Sequence, residues 1–420
     1  MKNLDGVKLE GVPYYKQGEF WGSPFNHLAD IRSRFPDNVY IHDVTLRDGE
    51  QTPGIFYKED ERLLIAEALD ALGVGKIEVG MPVISERVAR AMKKIAGLKL
   101  KAELIGLARA NKDDVHAVMD CGLSSIIVEF PMNPYLSQYA YGADVEENID
   151  KVSSVIAYAK EQGLKTAYEP WDCWRATPDL MKTILTGVIC QAKPDVVIMT
   201  DTFAVAVPSA IEYTFRKLRS WFPDTILEFH THNDFGLGTA QALSAVAGGA
   251  NGVHSGFNGI GERSGNVPTE EIVCALEILL GVKTGVDLSK LTVTSRLVEE
   301  VTKYRIASRK AIVGRKLFEV ESGVGIHFIG RLREKGVDPI YPFSPEIVGG
   351  EPIRFVLGKG SGRASIRHFL HKKRLTATEE QVDEILRKVK HTSQVCKDLV
   401  SEEAFYRIAY DVIGSTGGEG

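Results

Sequence analysis

Little in this sequence marks a secreted, membrane-spanning or nucleic-acid-binding chain. Its five cysteines (Cys121, Cys173, Cys190, Cys274, Cys396) are odd in number and widely spaced, with no Cys-x-x-Cys pair. That argues against a disulfide framework or a structural zinc site and fits a reducing cytoplasm. No apolar run approaches the roughly 18 residues of a membrane helix, and the N-terminus lacks a signal-like apolar core. A soluble cytoplasmic protein with no membrane partner is expected. A net charge of -5 and a pI near 6.1 give no reason to expect nucleic acid as a partner. The basic run Lys372-Lys373-Arg374 reads as a solvated helix face. No Walker-type phosphate loop occurs, and the glycines between Asn258 and Asn266 are wrongly spaced for a dinucleotide fingerprint.

What is present is a regular alternation. Between about residues 39 and 282, short β-branched apolar runs alternate with amphipathic stretches. The runs are Val39–Val44, Lys76–Gly80, Glu103–Leu107, Ser125–Phe130, Lys165–Glu169, Asp195–Thr200, Ile226–Thr231 and Gly252–Gly256. Such runs read as strands covered on both faces. The stretches between them, such as Glu59–Ala71, Asn111–Asp120, Glu146–Gln162, Pro178–Gln191 and Pro208–Trp221, carry apolar residues at helical spacing. Eight strand–helix units predict an α/β fold, a (β/α)₈ TIM barrel; a doubly wound open sheet is the alternative. The chain of 420 residues leaves room for a smaller C-terminal α/β subdomain. There, helices near 288–307 and 377–392 would flank a Gly/Pro-rich region of loops and short strands from Gly323 to Gly362. Residues 1–38, with five aromatics from Tyr14 to Phe25, read as an extension against the barrel or a partner.

Polar residues at the C-terminal ends of barrel strands receive attention because active sites lie there. Arg47-Asp48 after strand 1 could be only a surface salt bridge. His230 and His232, two apart on strand 7, point to one side and suit one divalent cation. Glu78 lies inside an apolar run and needs a cationic partner, for which Arg47 is nearest in the fold. Asn266, in the glycine-rich loop after strand 8, could complete a metal shell.

Three segments together, Thr45-Leu46-Arg47-Asp48-Gly49-Glu50-Gln51, His230-Thr231-His232-Asn233-Asp234 and Gly261-Glu262-Arg263-Ser264-Gly265-Asn266, resemble the DRE-TIM metallolyases. The similarity is greatest to the acetyl-CoA-dependent isopropylmalate, homocitrate and citramalate synthases, and extends to Leu357–Arg363. The resemblance implies Claisen-type condensation of acetyl-CoA with a 2-oxo acid, releasing CoA. It implies one divalent metal (Mg²⁺, Mn²⁺ or Zn²⁺) on Asp48, His230, His232 and Asn266, with Arg47 and Glu78 as the catalytic arginine and its partner. It further implies that His327 and Tyr341 act in a neighbouring subunit's site, hence a homodimer. On this reading residues 39–285 form the catalytic barrel, and residues 286–420 form subdomains that cover its mouth and support dimerisation.

The substrate loops depart from the family pattern. Gln51 and Thr202 match it as substrate contacts. Strand 4 ends at Glu129 and strand 5 at Glu169-Pro170-Trp171-Asp172-Cys173-Trp174, where the relatives carry small hydroxylated residues, a His, or Ser-Pro-Glu-Asp. Either the two glutamates pair with Arg109 or Arg175, or they disfavour a distal carboxylate. The second case predicts an acceptor other than 2-oxoglutarate, with an aromatic, apolar or cationic tail near Trp171 and Trp174. Two competing functions are a retro-Claisen or aldol lyase and a non-catalytic barrel scaffold. The loop after strand 8 has Ser264 near the position where the lyases place a Cys and holds no Cys itself, and no ligand position is lost, so both are less well supported by the residues.

Overall fold

The computed structural model describes residues 11–334 and 341–415. By internal packing the chain forms two units. Of the described residues, the first comprises 11–14, 22–307 and 311–313; the second comprises 15–21, 308–310, 314–334 and 341–415.

Eight parallel strands close the first unit into a barrel: β1 (Tyr40–Asp43), β2 (Lys76–Gly80), β3 (Glu103–Arg109), β4 (Ser125–Pro131), β5 (Lys165–Trp171), β6 (Val196–Asp201), β7 (Ile226–Thr231) and β8 (Gly252–Ser255). Each strand pairs with the next, and β8 returns to β1, so the open-sheet alternative is excluded. The strands hold so many β-branched residues because both of their faces are covered. Ile105, Leu107, Ile127, Ala167, Val196 and Ile198 form one buried apolar cluster. One helix follows each strand: α1 (Glu59–Leu72), α2 (Glu86–Gly97), α3 (Lys112–Asp120), α4 (Val145–Glu161), α5 (Pro178–Ala192), α6 (Pro208–Trp221), α7 (Gly238–Gly248) and α8 (Thr269–Cys274). Their starts are set chemically. The Asn111 side chain accepts from Asp114 N at 2.9 Å to cap α3, while Thr177 caps α5 with Pro178 in its first turn. A ninth helix, α9 (Leu291–Thr302), joins the first unit, where Ser295 O accepts from Asn258 Nδ2 at 2.9 Å.

The second unit is mainly helical, with α10 (Gly323–Glu334), α11 (Arg363–Lys372), α12 (Glu379–Cys396) and α13 (Glu402–Ser415). Two-residue strands at Glu319–Val320 and Arg354–Phe355 pair in parallel. Its main core contains Ile366, Phe369, Ile385, Val389 and Phe405. The structure corrects the expectation of loops and short strands from Gly323 onward. Three glycines and three β-branched residues give α10 poor intrinsic helix propensity, but Ile326 and Ile329, three apart, bury against Val320, Tyr341 and Phe355. Tertiary packing decided the conformation. The hairpin at Tyr15–Trp21 also belongs here: Trp21 N donates to Pro342 O at 3.1 Å and Ser344 N to Glu19 O at 2.6 Å. Of the N-terminal segment, residues 1–10 lie outside the described residues.

Candidate active site

Asp48 opens the short turn that follows β1, and His230 and His232 lie at the end of β7. Alternation along the strand puts both imidazoles on the barrel's inner face. His230 Nε2 lies 3.4 Å and His232 Nε2 3.6 Å from Asp48 Oδ2, and the two Nε2 atoms are 3.5 Å apart. All three residues are buried. Asn266 is brought beside them by backbone pairing with His232. Its Nδ2 donates to Ile260 O at 3.0 Å, while its Oδ1 is buried and has no hydrogen-bond partner. The loop carrying Asn266 requires glycine. Gly265 has φ +85°, and a Cβ there would run into the Gly259 carbonyl oxygen.

Burial works to raise the Asp48 carboxyl, but the Arg47 guanidinium and the two histidines hold it well below the usual carboxylate range. Burial pushes both His230 and His232 down to about 4. At neutral pH the cluster therefore offers one anion and two neutral imidazoles. Asp48 Oδ2 and Asn266 Oδ1 are both buried acceptors without a hydrogen-bond donor. A mixed oxygen and nitrogen donor set of this kind fits one divalent cation.

Beneath the cluster lies a polar chain that sequence reasoning missed. Glu228 Oε2 accepts from His42 Nδ1 and His254 Nε2, both at 2.8 Å, and Oε1 accepts from Lys76 Nζ at 2.7 Å and Tyr40 Oη at 2.6 Å. Despite burial, His42, His254 and Lys76 hold the Glu228 carboxyl well below its ordinary range. Burial, with His42 nearby, pushes His254 down to about 4, so its ring carries a single proton at neutral pH. The Glu228 carboxylate fixes that proton on Nε2. His254 Nδ1 must then accept from His230 Nδ1, 3.2 Å away. The lone pair of His230 Nε2 is thereby left facing Asp48, an outer-shell device that sets ligand tautomer and orientation. The signal was present in the sequence as inward-facing polar positions at Glu228 and His230, two apart on one strand.

Arg47 and Glu78 meet as expected. Arg47 Nε donates to Glu78 Oε1 at 2.5 Å and Nη2 to Oε2 at 3.0 Å, a two-point fork. Nη1 donates to Gln51 Oε1 at 3.1 Å and lies 3.5 Å from Asp48 Oδ2. Burial opposes the charge, yet Glu78, Asp48 and Glu169 keep Arg47 firmly protonated. The pair is therefore a buried, oriented cation rather than a surface salt bridge.

Arg47, Asp48, His230 and His232 line a cavity of 460 Å³ together with Gln51, Glu129, Glu169, Trp171 and Thr202. The Thr202 hydroxyl accepts from Asp172 N at 2.9 Å. Two expectations need correction. Glu129 and Glu169 do not pair with Arg109 or Arg175. Arg109 is forked onto Asp114 at 2.9 Å, and Arg175 lies 3.6 Å from Asp172 and over the Phe203 ring. Trp174 does not line the cavity, because it packs against Phe215 and Phe229 with ring centroids 6.2 and 5.6 Å away. His327 and Tyr341 lie in the second unit. His327 is exposed on α10, and the Tyr341 ring packs against Phe318.

The five cysteines are unpaired, and no helix among the described residues is long and apolar enough to cross a membrane.

Comparison with known proteins gives consistent results. The HMGL-like family model matches residues 38–298, and the homocitrate synthase post-HMGL domain-like model matches residues 312–397. Homocitrate synthase AksA of Methanothermobacter thermautotrophicus is 35% identical over 397 residues, covering 94% of this chain and 98% of that protein. The 2-isopropylmalate synthase of Methanocaldococcus jannaschii is 37% identical over 383 residues, covering 90% of this chain and 72% of that protein. Among solved structures, a Bacillus subtilis HMG-CoA lyase superposes with a TM-score of 0.59 at 21% identity, covering 66% of this chain and 97% of that one; it supports the barrel fold alone. With both family models in chain order and the three motifs meeting in one cavity, the chain belongs to the HMGL-like family of the DRE-TIM superfamily, followed by a homocitrate synthase post-HMGL domain-like region.

Proposed function

We propose that this protein condenses acetyl-CoA with a 2-oxo acid, joining the acetyl methyl carbon to the keto carbon and releasing CoA as the thioester is hydrolysed. The observation that carries the reading is the convergence of Asp48, His230 and His232 beside the forked Arg47 in one 460 Å³ cavity. Asp48, His230, His232 and Asn266 would hold a divalent cation. When bound, that cation supplies Lewis acidity toward the carboxylate and keto oxygens of the oxo acid.

The chain's own groups do the rest. Arg47, fixed by Glu78 and Gln51, stabilises the negative charge that develops on the keto oxygen. Its cost of orientation is met before substrate arrives, because the fork already fixes the guanidinium plane. Thr202 and Trp171 bound the oxo-acid side of the cavity. His327 of the partner subunit takes the proton from the acetyl methyl group, assisted by the partner subunit's Tyr341, so the working form is a homodimer. Unpaired cysteines are in keeping with a cytoplasmic setting.

Thiol release from acetyl-CoA is measured with a panel of 2-oxo acids and Mg²⁺, Mn²⁺ or Zn²⁺, and the product is weighed by mass spectrometry. An adduct of oxo acid plus acetate, formed only with metal, is expected. Absence of thiol release across the panel overturns the reading.

A further inference from the structure

The inner wall of the cavity on β4 and β5 carries two acidic side chains that form no ion pair with any described residue. Glu129 and Glu169 sit directly opposite each other in the β4–β5 register, so their side chains leave the sheet on the same face. Both line the cavity that holds the histidine–aspartate cluster. Glu169 is 3% exposed; its Oε1 accepts from Thr200 Oγ1 at 3.0 Å, and its Oε2 is buried without a partner.

The cavity's cations are engaged elsewhere. Arg47 is forked onto Glu78, Arg109 onto Asp114, and the Lys151 ammonium lies 4.9 Å above the Phe130 ring. Among the described residues neither Glu129 nor Glu169 has an ion-pair partner within 4.0 Å, although Arg47 acts on both, and Arg109 on Glu129, at longer range. A buried carboxylate of this kind requires a proton or a bound cation. Burial, opposed by Arg47 and reinforced by Glu78 and Glu129, pushes Glu169 up to about 8. Among the described residues only two groups bring three ligand atoms within 4.8 Å of one another, and neither includes Glu129 or Glu169. An organic cation does fit: its charge is spread over several atoms, and Trp171 and Phe130 supply aromatic wall in the same cavity.

We infer that Glu129 and Glu169 form a cation-recognition subsite, and that the 2-oxo acid used by this protein carries an ammonium or guanidinium group at its far end. The inference rests on the proposed condensation only for the word substrate; the subsite is a binding property and can be read without turnover. With its oxo-acid head at the Asp48 cluster, such a molecule places its tail on the β4–β5 side. A distal carboxylate, as in 2-oxoglutarate, would find no free cation there and would face the Glu129–Glu169 pair, which disfavours it.

The test uses the metal-loaded, full-length protein. Binding by calorimetry and thiol release from acetyl-CoA are measured with 2-oxo-5-guanidinopentanoate, 6-(trimethylammonio)-2-oxohexanoate, 2-oxohexanoate and 2-oxoglutarate. The expected result is at least about 100-fold preference for one of the cationic acids over both others, the guanidinium and ammonium arms showing which cation is read. In E129Q and E169Q the ratio of cationic to neutral acid should fall about 10-fold or more, mainly through affinity. Equal or better binding of 2-oxohexanoate or 2-oxoglutarate, or an unchanged ratio in both folded variants, overturns the subsite. Cation-selective binding without thiol release upholds the subsite and refutes the condensation; thiol release without cation preference does the reverse.

Discussion

Replacing His254 by Leu tests whether the chain beneath the metal cluster works as read. The substitution keeps roughly the size of the side chain but leaves the His230 Nδ1–H without an acceptor and removes one of four donors to Glu228. Loss of a hydrogen bond to a charged group costs about 1.5–3 kcal/mol, and the remaining His42, Lys76 and Tyr40 contacts should hold Glu228 in place. The specific consequence is at His230. With no acceptor at Nδ1, its proton distributes over both nitrogens, and the fraction with a free Nε2 lone pair falls. Losing an outer-shell partner of this kind weakens metal affinity about 10–100-fold, or roughly 1.4–2.7 kcal/mol. Competition against a chelating dye measures that loss, and urea unfolding of the metal-free protein separates it from general destabilisation. His254→Gln supplies the control, because its amide can donate to Glu228 and accept from His230. Gln should recover most of the affinity that Leu loses. A folded Leu variant with wild-type metal affinity, or a Gln variant no better than Leu, refutes the tautomer argument.

Three other outcomes follow from the same geometry. Arg47→Lys removes the two-point fork and cannot replace it, so kcat should fall about 100- to 1,000-fold with metal content unchanged; a loss under threefold contradicts the oxyanion role. His230, His232 and His254 have native pKa values lowered by burial to about 4, so protons bind the unfolded chain first as pH drops below about 6.5. Stability of the metal-free protein is therefore present above pH 6.5 and should be lost progressively down to pH 4. Urea titrations across that window check the sign. Finally, His327→Ala and Asp48→Asn should each abolish turnover, and a mixture allowed to exchange subunits should regain part of it. No recovery in demonstrably mixed dimers rules out the shared site.

The barrel was legible because its strands are short β-branched runs covered on both faces. Lys76–Gly80 and Ile226–Thr231 match the structure residue for residue, and the helices Glu59–Leu72 and Pro208–Trp221 differ by at most one. The shared face of His230 and His232 was legible because strand alternation fixes the direction of a side chain, whereas the place of Asp48 beside them was implied only by the resemblance of the three motifs to a known family. What depended on tertiary choice was not. The glycines of α10 argue locally against a helix, and only the burial of Ile326 and Ile329 reverses that preference. Arg109 faced two acidic options, and the cap of α3 decided between them by fixing Asp114 within its reach. The Glu228 chain joins β1, β2, β7 and β8, strands remote in sequence, and no local pattern signals that His42, Lys76 and His254 converge on one carboxylate.

The most direct trial of the metal centre is a count of bound ion per chain by elemental analysis, paired with thiol release, for wild type and Asp48→Asn. The structure predicts one divalent ion per wild-type chain, activity that is lost on chelation and restored by metal, and neither ion nor activity in the variant. An Asp48→Asn protein that keeps a full complement of metal, or a wild-type enzyme that turns over after exhaustive chelation, would contradict it.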